Sequence, residues 1–196
     1  PMIEFTNEFQ EFLNPKEILG ISYREKLDKA TLQKIRRLGR RSALRQGDIG
    51  IKWFIVDHHV EGLDWPKKIS DKAKYNLIFG DFPFGLNRVN YLDIEDKLIG
   101  TALTYLSDNG TAVFITTTRL ASELKTKLPN TGFNVHAIMK APDSFPDLYG
   151  IAIEICVVVI SKKSVDKVFY AELHDNDDDY LLLMENFTRG QDDLFN

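Results

Sequence analysis

Apolar runs alternate along the chain with segments whose apolar positions recur at helical spacing. Short runs rich in β-branched and aromatic residues predict strands at residues 51–57, 75–79, 111–116, 133–139, 151–161 and 168–172. Helical spacing predicts helices over 5–46, interrupted at Asn14-Pro15, and over 93–107 and 120–128. Strands that alternate with helices require crossover connections, so we predict an α/β fold with a mostly parallel sheet.

Turn-forming residues and the distribution of charge indicate where the predicted elements and segments end. Asp108-Asn109-Gly110 is a turn signal that we expect to end the second helix. The charge is uneven: residues 1–50 carry +3 and residues 164–196 carry −7, within a net charge of −4. We therefore predict a basic helical segment (1–48), an α/β domain (49–175) and an acidic C-terminal tail (176–196).

The basic character of the N-terminal part is concentrated on one predicted helix face, at Arg36, Arg37, Arg40 and Arg41. Such a face is either a solvated helix surface or a surface that contacts nucleic-acid phosphates. The acidic tail is not expected to contact phosphates, because like charges repel.

Several classes of protein do not fit the composition. No apolar run approaches the roughly 18–20 residues that span a bilayer, and no signal peptide begins the chain, so we expect a cytoplasmic protein without a membrane partner. Cys156 is the single cysteine and lies in an apolar run, so we expect a small core residue. No cluster of Cys and His suggests a metal site, and no nucleophile motif accompanies the histidines, which include His136.

The strongest candidate for a functional segment is Gly80-Asp81-Phe82-Pro83-Phe84-Gly85, which directly follows the predicted strand at 75–79. In open α/β sheets, ligands bind beyond the carboxyl ends of the strands. The segment is either a tight connection or a site in which an acidic group and two aromatic rings are held by a proline. The second interpretation suits methylation of the amine of adenine. That amine is a poor nucleophile because its lone pair is delocalised, and a flipped base is steadied by an aromatic face.

These residues resemble those of N6-adenine DNA methyltransferases, in particular the modification subunits of type I restriction systems. That family carries Asn or Asp, Pro, Pro and an aromatic residue where this chain has Asp81, Phe82, Pro83 and Phe84. The likeness extends over roughly residues 50–175. It includes YNLIFGDFPFG, LIGTALTYLSDNGTAVFITTTRL, the predicted strand pair at 133–163 and VDKVFYAELHD.

The resemblance implies a Rossmann-like fold with a terminal antiparallel strand pair, S-adenosylmethionine as cofactor and DNA as substrate. Asp81 and the carbonyl of Phe82 would accept hydrogen bonds from the adenine amine, Phe84 would stack on the base and Pro83 would keep the turn rigid. Asp57, at a strand end, would lie near the adenine of the cofactor. A specificity subunit, or another chain that completes the fold, would be the protein partner.

Two departures from the family limit what the resemblance implies. Phe82 stands where the family usually has proline, and no glycine-rich cofactor loop precedes the strand at 51–57. Three explanations are open: the chain begins partway through a larger protein, it is a truncated relative, or another chain supplies the missing part. The alternatives to a DNA methyltransferase are a catalytically inactive binding or scaffold module, and an enzyme that acts on RNA or on a protein amide.

Overall fold

The computed structural model describes the two ends of the chain less completely than its centre. Backbone and side chains are described for residues 74–80, 95–142, 144, 153–174, 182–183, 185–187 and 189, and the backbone alone for 17–22, 50–55, 81 and 91–94. The chain forms two compact units, Pro1–Ser70 and Asp71–Asn196. The predicted division at residues 48 and 175 stays a prediction.

Two parallel strands are described in the first unit. β1 (Glu17–Ser22) and β2 (Gly50–Ile55) pair in register along six residues each. β2 confirms the strand predicted at 51–57. The helical prediction over 5–46 is wrong for β1, because EILGIS contains two β-branched isoleucines and a glycine, which fit a paired strand better than a helix. The remainder of that predicted helix lies outside the described residues.

In the second unit, the described part confirms all five predicted strands and both predicted helices, with shifted ends. None of the described helical segments has the length and apolar character needed to cross a membrane. In chain order the elements are β3 (Tyr75–Asp81), α1 (Tyr91–Leu103), β4 (Leu106–Thr117), α2 (Thr118–Lys127), a 3-10 turn (Leu128–Thr131), β5 (Asn134–Lys140), β6 (Ile155–Ser161) and β7 (Phe169–Glu172).

The five strands form one mixed sheet in the order β3-β4-β6-β5-β7. β3 is parallel to β4 and β7 is parallel to β5, whereas β6 is antiparallel to both of its neighbours, β4 and β5. The predicted antiparallel pair is therefore present, but it is not terminal, because β7 extends the sheet beyond it. The interior position of β6 explains its nearly continuous apolar sequence, since each of its residues is buried or half-buried.

Helix α1 contacts β3 and β4 through an apolar stripe. Four residues of this stripe are buried: Leu98, Ile99, Ala102 and Leu103. The helix ends at Leu103 rather than at the predicted residue 107, because the next apolar residue, Leu106, is buried as the first residue of β4. The sequence pattern had placed Leu106 on the helix.

The turn signal at 108–110 lies inside β4, so the prediction that it ends the helix is wrong. Tyr75 of β3 pairs with Leu106, and Leu77 pairs with Thr111. One residue of β3 therefore faces four residues of β4, which form a bulge at the amino end of the strand. The turn-forming residues provide this bulge rather than a connection between elements.

Helix α2 is joined to α1 by an ion pair from Lys127 Nζ to Asp96 Oδ2 at 3.3 Å. The Thr117 side chain caps α2 by accepting a hydrogen bond from the backbone N–H of Leu120 at 3.2 Å. The following 3-10 turn ends at Gly132, whose φ of 82° is the left-handed conformation that glycine adopts without strain.

Part of the predicted acidic tail folds back on the sheet. Residues 182–183, 185–187 and 189 are helical. The Phe187 ring meets the Phe169 ring of β7 edge-to-face, with centroids 5.5 Å apart. The tail is therefore not only a charged extension, because it contributes an aromatic contact to the last strand.

Candidate functional site

The carboxyl ends of the parallel strands β3 and β4 meet at one edge of the sheet. β3 ends at Asp81, whose partner on β4 is Ile115, and the pairing beyond the bulge stays in register up to that point. Ligands of open α/β sheets bind beyond such an edge. The fold thus brings the backbone of Asp81 to the place where the sequence predicts a site.

The remaining predicted site residues cannot be placed from this structure. The Asp81 side chain, and Phe82, Pro83 and Phe84, lie outside the described residues. The same holds for Asp57 and for the four arginines at positions 36, 37, 40 and 41. Their assigned roles stay predictions.

A buried polar contact that the sequence analysis missed lies beside this edge. Thr116, fully buried on β4, donates a hydrogen bond from Oγ1 to Oε1 of Glu95 on α1 at 2.5 Å. Burial raises the pKa of the Glu95 carboxyl, and the negative charge of Asp96 adds to the rise, whereas the Thr116 hydrogen bond opposes it. The carboxyl is thus held between the helix and the sheet, close to where β3 ends.

A signal for this contact was present in the sequence. Glu95 precedes Leu98, Ile99 and Ala102 by three, four and seven residues, which places it on the buried stripe of α1. An acidic residue on an apolar stripe is unusual, since burying a charge is unfavourable unless it is hydrogen-bonded. What the sequence did not contain was the identity of the partner on β4.

Cys156 belongs to the same polar group. It pairs with Thr116 across β4 and β6 and is fully buried. Burial raises the pKa of its thiol to about 12, with a further contribution from the negative charge of Glu95. The prediction of a core cysteine is confirmed, and a thiol with this pKa is protonated at neutral pH and inert as a nucleophile.

The first residues of α2 add further polar groups to the edge. The backbone N–H of Thr118 donates to the carbonyl of Glu154 at 3.1 Å. The Thr118 hydroxyl oxygen is buried, and no hydrogen-bond partner for it occurs in the part of the chain that the structure describes. The hydroxyls of three consecutive threonines therefore have different environments: that of Thr116 donates to Glu95, that of Thr117 caps α2, and that of Thr118 is buried.

A second buried polar pair lies at the opposite, amino end of β4. Ser161 Oγ and His136 Nε2 are 2.8 Å apart, and both residues are buried. Ser161 pairs with Thr111 near the bulge, and its Oγ also accepts from the backbone N–H of Lys163 at 3.0 Å. In the sequence, no nucleophile motif accompanies His136. The burial of this serine makes the pair a structural contact rather than a hydrolase site.

We tested whether the described residues fit the methionine part of S-adenosylmethionine, which needs close approach to a glycine backbone. The space beside Gly110 is filled by protein atoms, within 2.7–2.9 Å of an added Cβ, and Gly100 and Gly132 face open space. Among the glycines with described surroundings, none forms a cradle at the carboxyl edge. These glycines therefore do not form a binding site for the methionine part of the cofactor.

Comparison with known proteins gives matches at the level of structure only. No protein-family model matches the chain. No curated protein matches its sequence. Three solved structures show the range of the structural likeness. A protein from Listeria monocytogenes, assigned to the class I S-adenosylmethionine-dependent methyltransferases, is 11% identical with a TM-score of 0.52, over 96% of this chain and 69% of that one.

NSun6 from Pyrococcus horikoshii, solved with SFG, is 14% identical with a TM-score of 0.51, over 83% of this chain and 45% of that one. A modification subunit assigned to a type I restriction enzyme of Vibrio vulnificus is 14% identical with a TM-score of 0.49, over 90% of this chain and 46% of that one. This chain thus spans less than half of these two structures.

The first two likenesses define the fold. The chain has the Rossmann-like α/β fold of the class I S-adenosylmethionine-dependent methyltransferases, which confirms the predicted fold class. At identities of 11% and 14%, the agreement concerns the backbone architecture, and different activities occur on one fold.

Proposed function

We propose that this chain takes part in methyl transfer from S-adenosylmethionine to the N6 amine of adenine in DNA, as part of a restriction–modification system. The observation that supports this most is the end of β3. An acidic residue, Asp81, is the last residue of a parallel strand, paired with Ile115 at the carboxyl edge of a methyltransferase fold. The Asp-Phe-Pro-Phe segment that resembles the N6-adenine methylases begins at this residue.

The roles proposed for Asp81, Phe82, Pro83 and Phe84 all concern binding and activation of the target adenine. Asp81 and the carbonyl of Phe82 accept hydrogen bonds from the amine, so that its nitrogen becomes tetrahedral as it would take the methyl group. The methyl–sulfonium bond of S-adenosylmethionine would break, S-adenosylhomocysteine would leave, and the amine would lose one proton to water. Phe84 stacks on the extruded base, an interaction that contributes about 1–3 kcal/mol, and Pro83 keeps the segment rigid. S-adenosylmethionine supplies the methyl group when it is bound.

The proposed partners follow from charge and from the family resemblance. DNA phosphates would be contacted by the arginine face, Arg36, Arg37, Arg40 and Arg41, and Asp57 would lie near the cofactor. A specificity subunit, or a chain that completes the fold, would supply sequence recognition. The site of action would be the cytoplasm.

Two other functions stay open, each for a specific reason. A catalytically inactive binding or scaffold module is favoured by the lack of a glycine-rich cofactor loop in the sequence. Transfer to RNA adenine or to a protein amide is chemically equivalent, because these nitrogens are also delocalised.

The test combines cofactor binding with a matched set of variants. Calorimetry measures binding of S-adenosylmethionine to the 196-residue chain. Transfer of a labelled methyl group is then measured on adenine-containing DNA, on the same DNA already methylated at N6, on RNA and on a glutamine peptide. The variants are Asp81→Ala and Asp81→Asn, with Asp108→Asn as the control. Asp108 carries an exposed carboxylate that is paired with Lys162 in the bulge of β4.

We expect transfer to unmethylated DNA alone. Asp81→Ala should lower kcat about 100-fold, the usual effect of removing a hydrogen bond made to a developing charge. Asp81→Asn should retain part of the activity, since its amide oxygen still accepts, and Asp108→Asn should match the wild type. Undiminished transfer by Asp81→Ala would refute the role of Asp81. No cofactor binding and no transfer would favour the scaffold alternative, and transfer to RNA or the peptide would redirect the substrate assignment.

A further inference from the structure

The Asn109-Gly110 pair is a motif of the sequence that the proposed function does not use. It is the only asparagine followed by glycine in the chain, and it lies in the bulge of β4. Asparagine is one of the chemically labile residues of proteins. Its side-chain amide is attacked most readily when glycine follows, because glycine has no Cβ to hinder the approach of its backbone nitrogen. Whether the pair reacts depends on how the fold holds these two groups.

The bulge removes the backbone of this pair from the strand ladder. The pairing of β3 with β4 passes directly from Leu106 to Thr111, and the pairing of β6 with β4 begins at Thr111. Residues 107–110 therefore have no partner in either of these two registers. Cross-strand hydrogen bonds hold a paired residue extended, whereas a bulge interrupts the ladder. Rotation of the main chain at Asn109, which ring closure requires, thus breaks no pairing of these registers.

The side chains of the bulge differ in how they are held. Ser107 Oγ donates a hydrogen bond to Oδ1 of Asn76 on β3 at 2.8 Å, and Asp108 Oδ1 accepts one from Lys162 Nζ at 2.7 Å. Asn109, in contrast, is exposed to solvent. Water therefore reaches the side chain that reacts, where it is needed to take up a proton and to hydrolyse the product.

The packing of Gly110 keeps the reactive pair in the sequence. Gly110 is buried, and an added Cβ would lie 2.7 Å from Leu106 Cδ1 and 2.9 Å from the carbonyl oxygen of Tyr75. Any larger residue here would shield the backbone nitrogen and slow its attack on Asn109. The close contacts exclude such a residue, so the bulge requires the glycine that makes Asn109 reactive.

We propose that Asn109 is a modification site, which the folded protein converts to aspartate and isoaspartate without an enzyme. The deprotonated backbone nitrogen of Gly110 attacks Cγ of Asn109, and a carbon–nitrogen bond forms. The bond from Cγ to the side-chain nitrogen breaks, and that nitrogen takes up a proton and leaves as ammonia. Water then opens the cyclic imide: cleavage of the new bond gives aspartate, and cleavage of the original peptide bond gives isoaspartate. No electrons are exchanged, and this inference does not depend on the proposed function.

Each product changes the amino end of β4 in a definite way. Both products add a negative charge directly beside Asp108, whose carboxyl has a lowered pKa because of the hydrogen bond and charge of Lys162 and the charge of Lys74. Isoaspartate also lengthens the main chain by a methylene group just before Gly110, which is packed against the Tyr75 carbonyl of β3. We therefore expect aspartate to be tolerated and isoaspartate to weaken the pairing of β3 with β4.

Mass spectrometry of the purified chain measures the modification directly, as replacement of the amide NH2 by OH in the peptide that contains residue 109. The chain is incubated at mildly alkaline pH, both native and unfolded in urea. Asn130 is the internal reference, because it is exposed in the 3-10 turn but is followed by Thr131. In the native chain we expect Asn109 to react about tenfold faster than Asn130. Its native rate should lie within about tenfold of its rate in urea.

Two variants separate the reaction from its consequence. Asn109→Gln keeps the amide but would have to close a ring one atom larger, so residue 109 should stay unmodified. Asn109→Asp imposes the aspartyl product and should keep the amide hydrogen exchange of the wild type at residues 75–79. The isoaspartyl form, separated by ion exchange from the incubated wild type, should exchange about tenfold faster there.

The outcomes distinguish the site from its effect. Modification of residue 109 in urea but not in the native chain would mean that the fold protects the pair, and the proposal would be overturned. It would also be overturned if Asn130 reacted as fast as Asn109, or if Asn109→Gln gave the same modified peptide. Native modification of Asn109 with unchanged exchange at 75–79 in the isoaspartyl form would support the site and refute the expected weakening of the sheet.

Discussion

Replacing Gly110 by alanine adds a methyl group where the structure has no room for one. The new Cβ would lie 2.7 Å from Leu106 Cδ1, and 2.9 Å from both Ser107 Oγ and the carbonyl oxygen of Tyr75. Leu106 is fully buried and Tyr75 belongs to the paired strand β3, so relief requires a shift in the core or in the sheet. Overpacking of this kind destabilises by about 1–3 kcal/mol, and we expect a loss in that range.

Gly100→Ala is the matched control for this prediction. Gly100 is exposed on α1, and an added Cβ meets nothing within 4 Å. Alanine should therefore stabilise the helix by about 0.5–1 kcal/mol. Urea unfolding followed by circular dichroism measures both variants, which differ from the wild type by the same single methyl group. Equal free energies of unfolding for the two variants would refute the packing argument. Both variants replace glycine by alanine, so only the surroundings of the added methyl group can make their stabilities differ.

Three further predictions concern the buried groups and the tail. Burial holds the folded-state pKa of the Glu95 carboxyl above its ordinary value of 4.5, so its contribution to stability is present below pH 4.5 and is lost as the pH rises through the folded pKa. Relative to the wild type, Glu95→Gln should gain stability between pH 4.5 and neutral pH in urea titrations, and a constant difference would contradict this. Native Cys156, with its pKa of about 12, should react with a thiol reagent only as fast as the protein opens, and rapid stoichiometric labelling at neutral pH would disprove its burial. Phe187→Ala should weaken the packing of the tail on β7 by about 0.5–1.5 kcal/mol, in addition to the free energy lost with the buried apolar surface. Amide hydrogen exchange at residues 169–172 should become faster. Unchanged exchange there would show that the contact with Phe169 is not stabilising.

The core elements of the second unit could be predicted because their sequences carry strong local patterns. The run at 155–160 is apolar and β-branched, as an interior strand requires, and Leu98, Ala102 and Leu103 recur at helical spacing. The errors fall where local and tertiary preferences differ. The segment at 17–22 has a strand partner that its surrounding helical pattern does not reveal, and the turn at 108–110 serves as a bulge within β4.

For the candidate site, too, local features could be predicted from the sequence and long-range contacts could not. The sequence alone predicts that an apolar strand ends at an acidic residue, because the apolar run at 75–79 and the glycine after it define the strand end locally. It also contains the residues that follow, Phe82, Pro83 and Phe84. That Glu95 meets Thr116, 21 residues further along the chain, was not readable from either residue. It depends on how α1 lies across β4.

The sequence by itself determined the alternation of strands and helices, the placing of Asp81 at a strand end and the core character of Cys156, because each follows from periodicity within a few residues. Only the tertiary structure decided that β6 inserts between β4 and β5, that Glu95 turns inward to Thr116 and that Phe187 returns to β7. These contacts join distant parts of the chain, and which of them form is selected by burial and hydrogen bonding of the whole sheet rather than by any local preference.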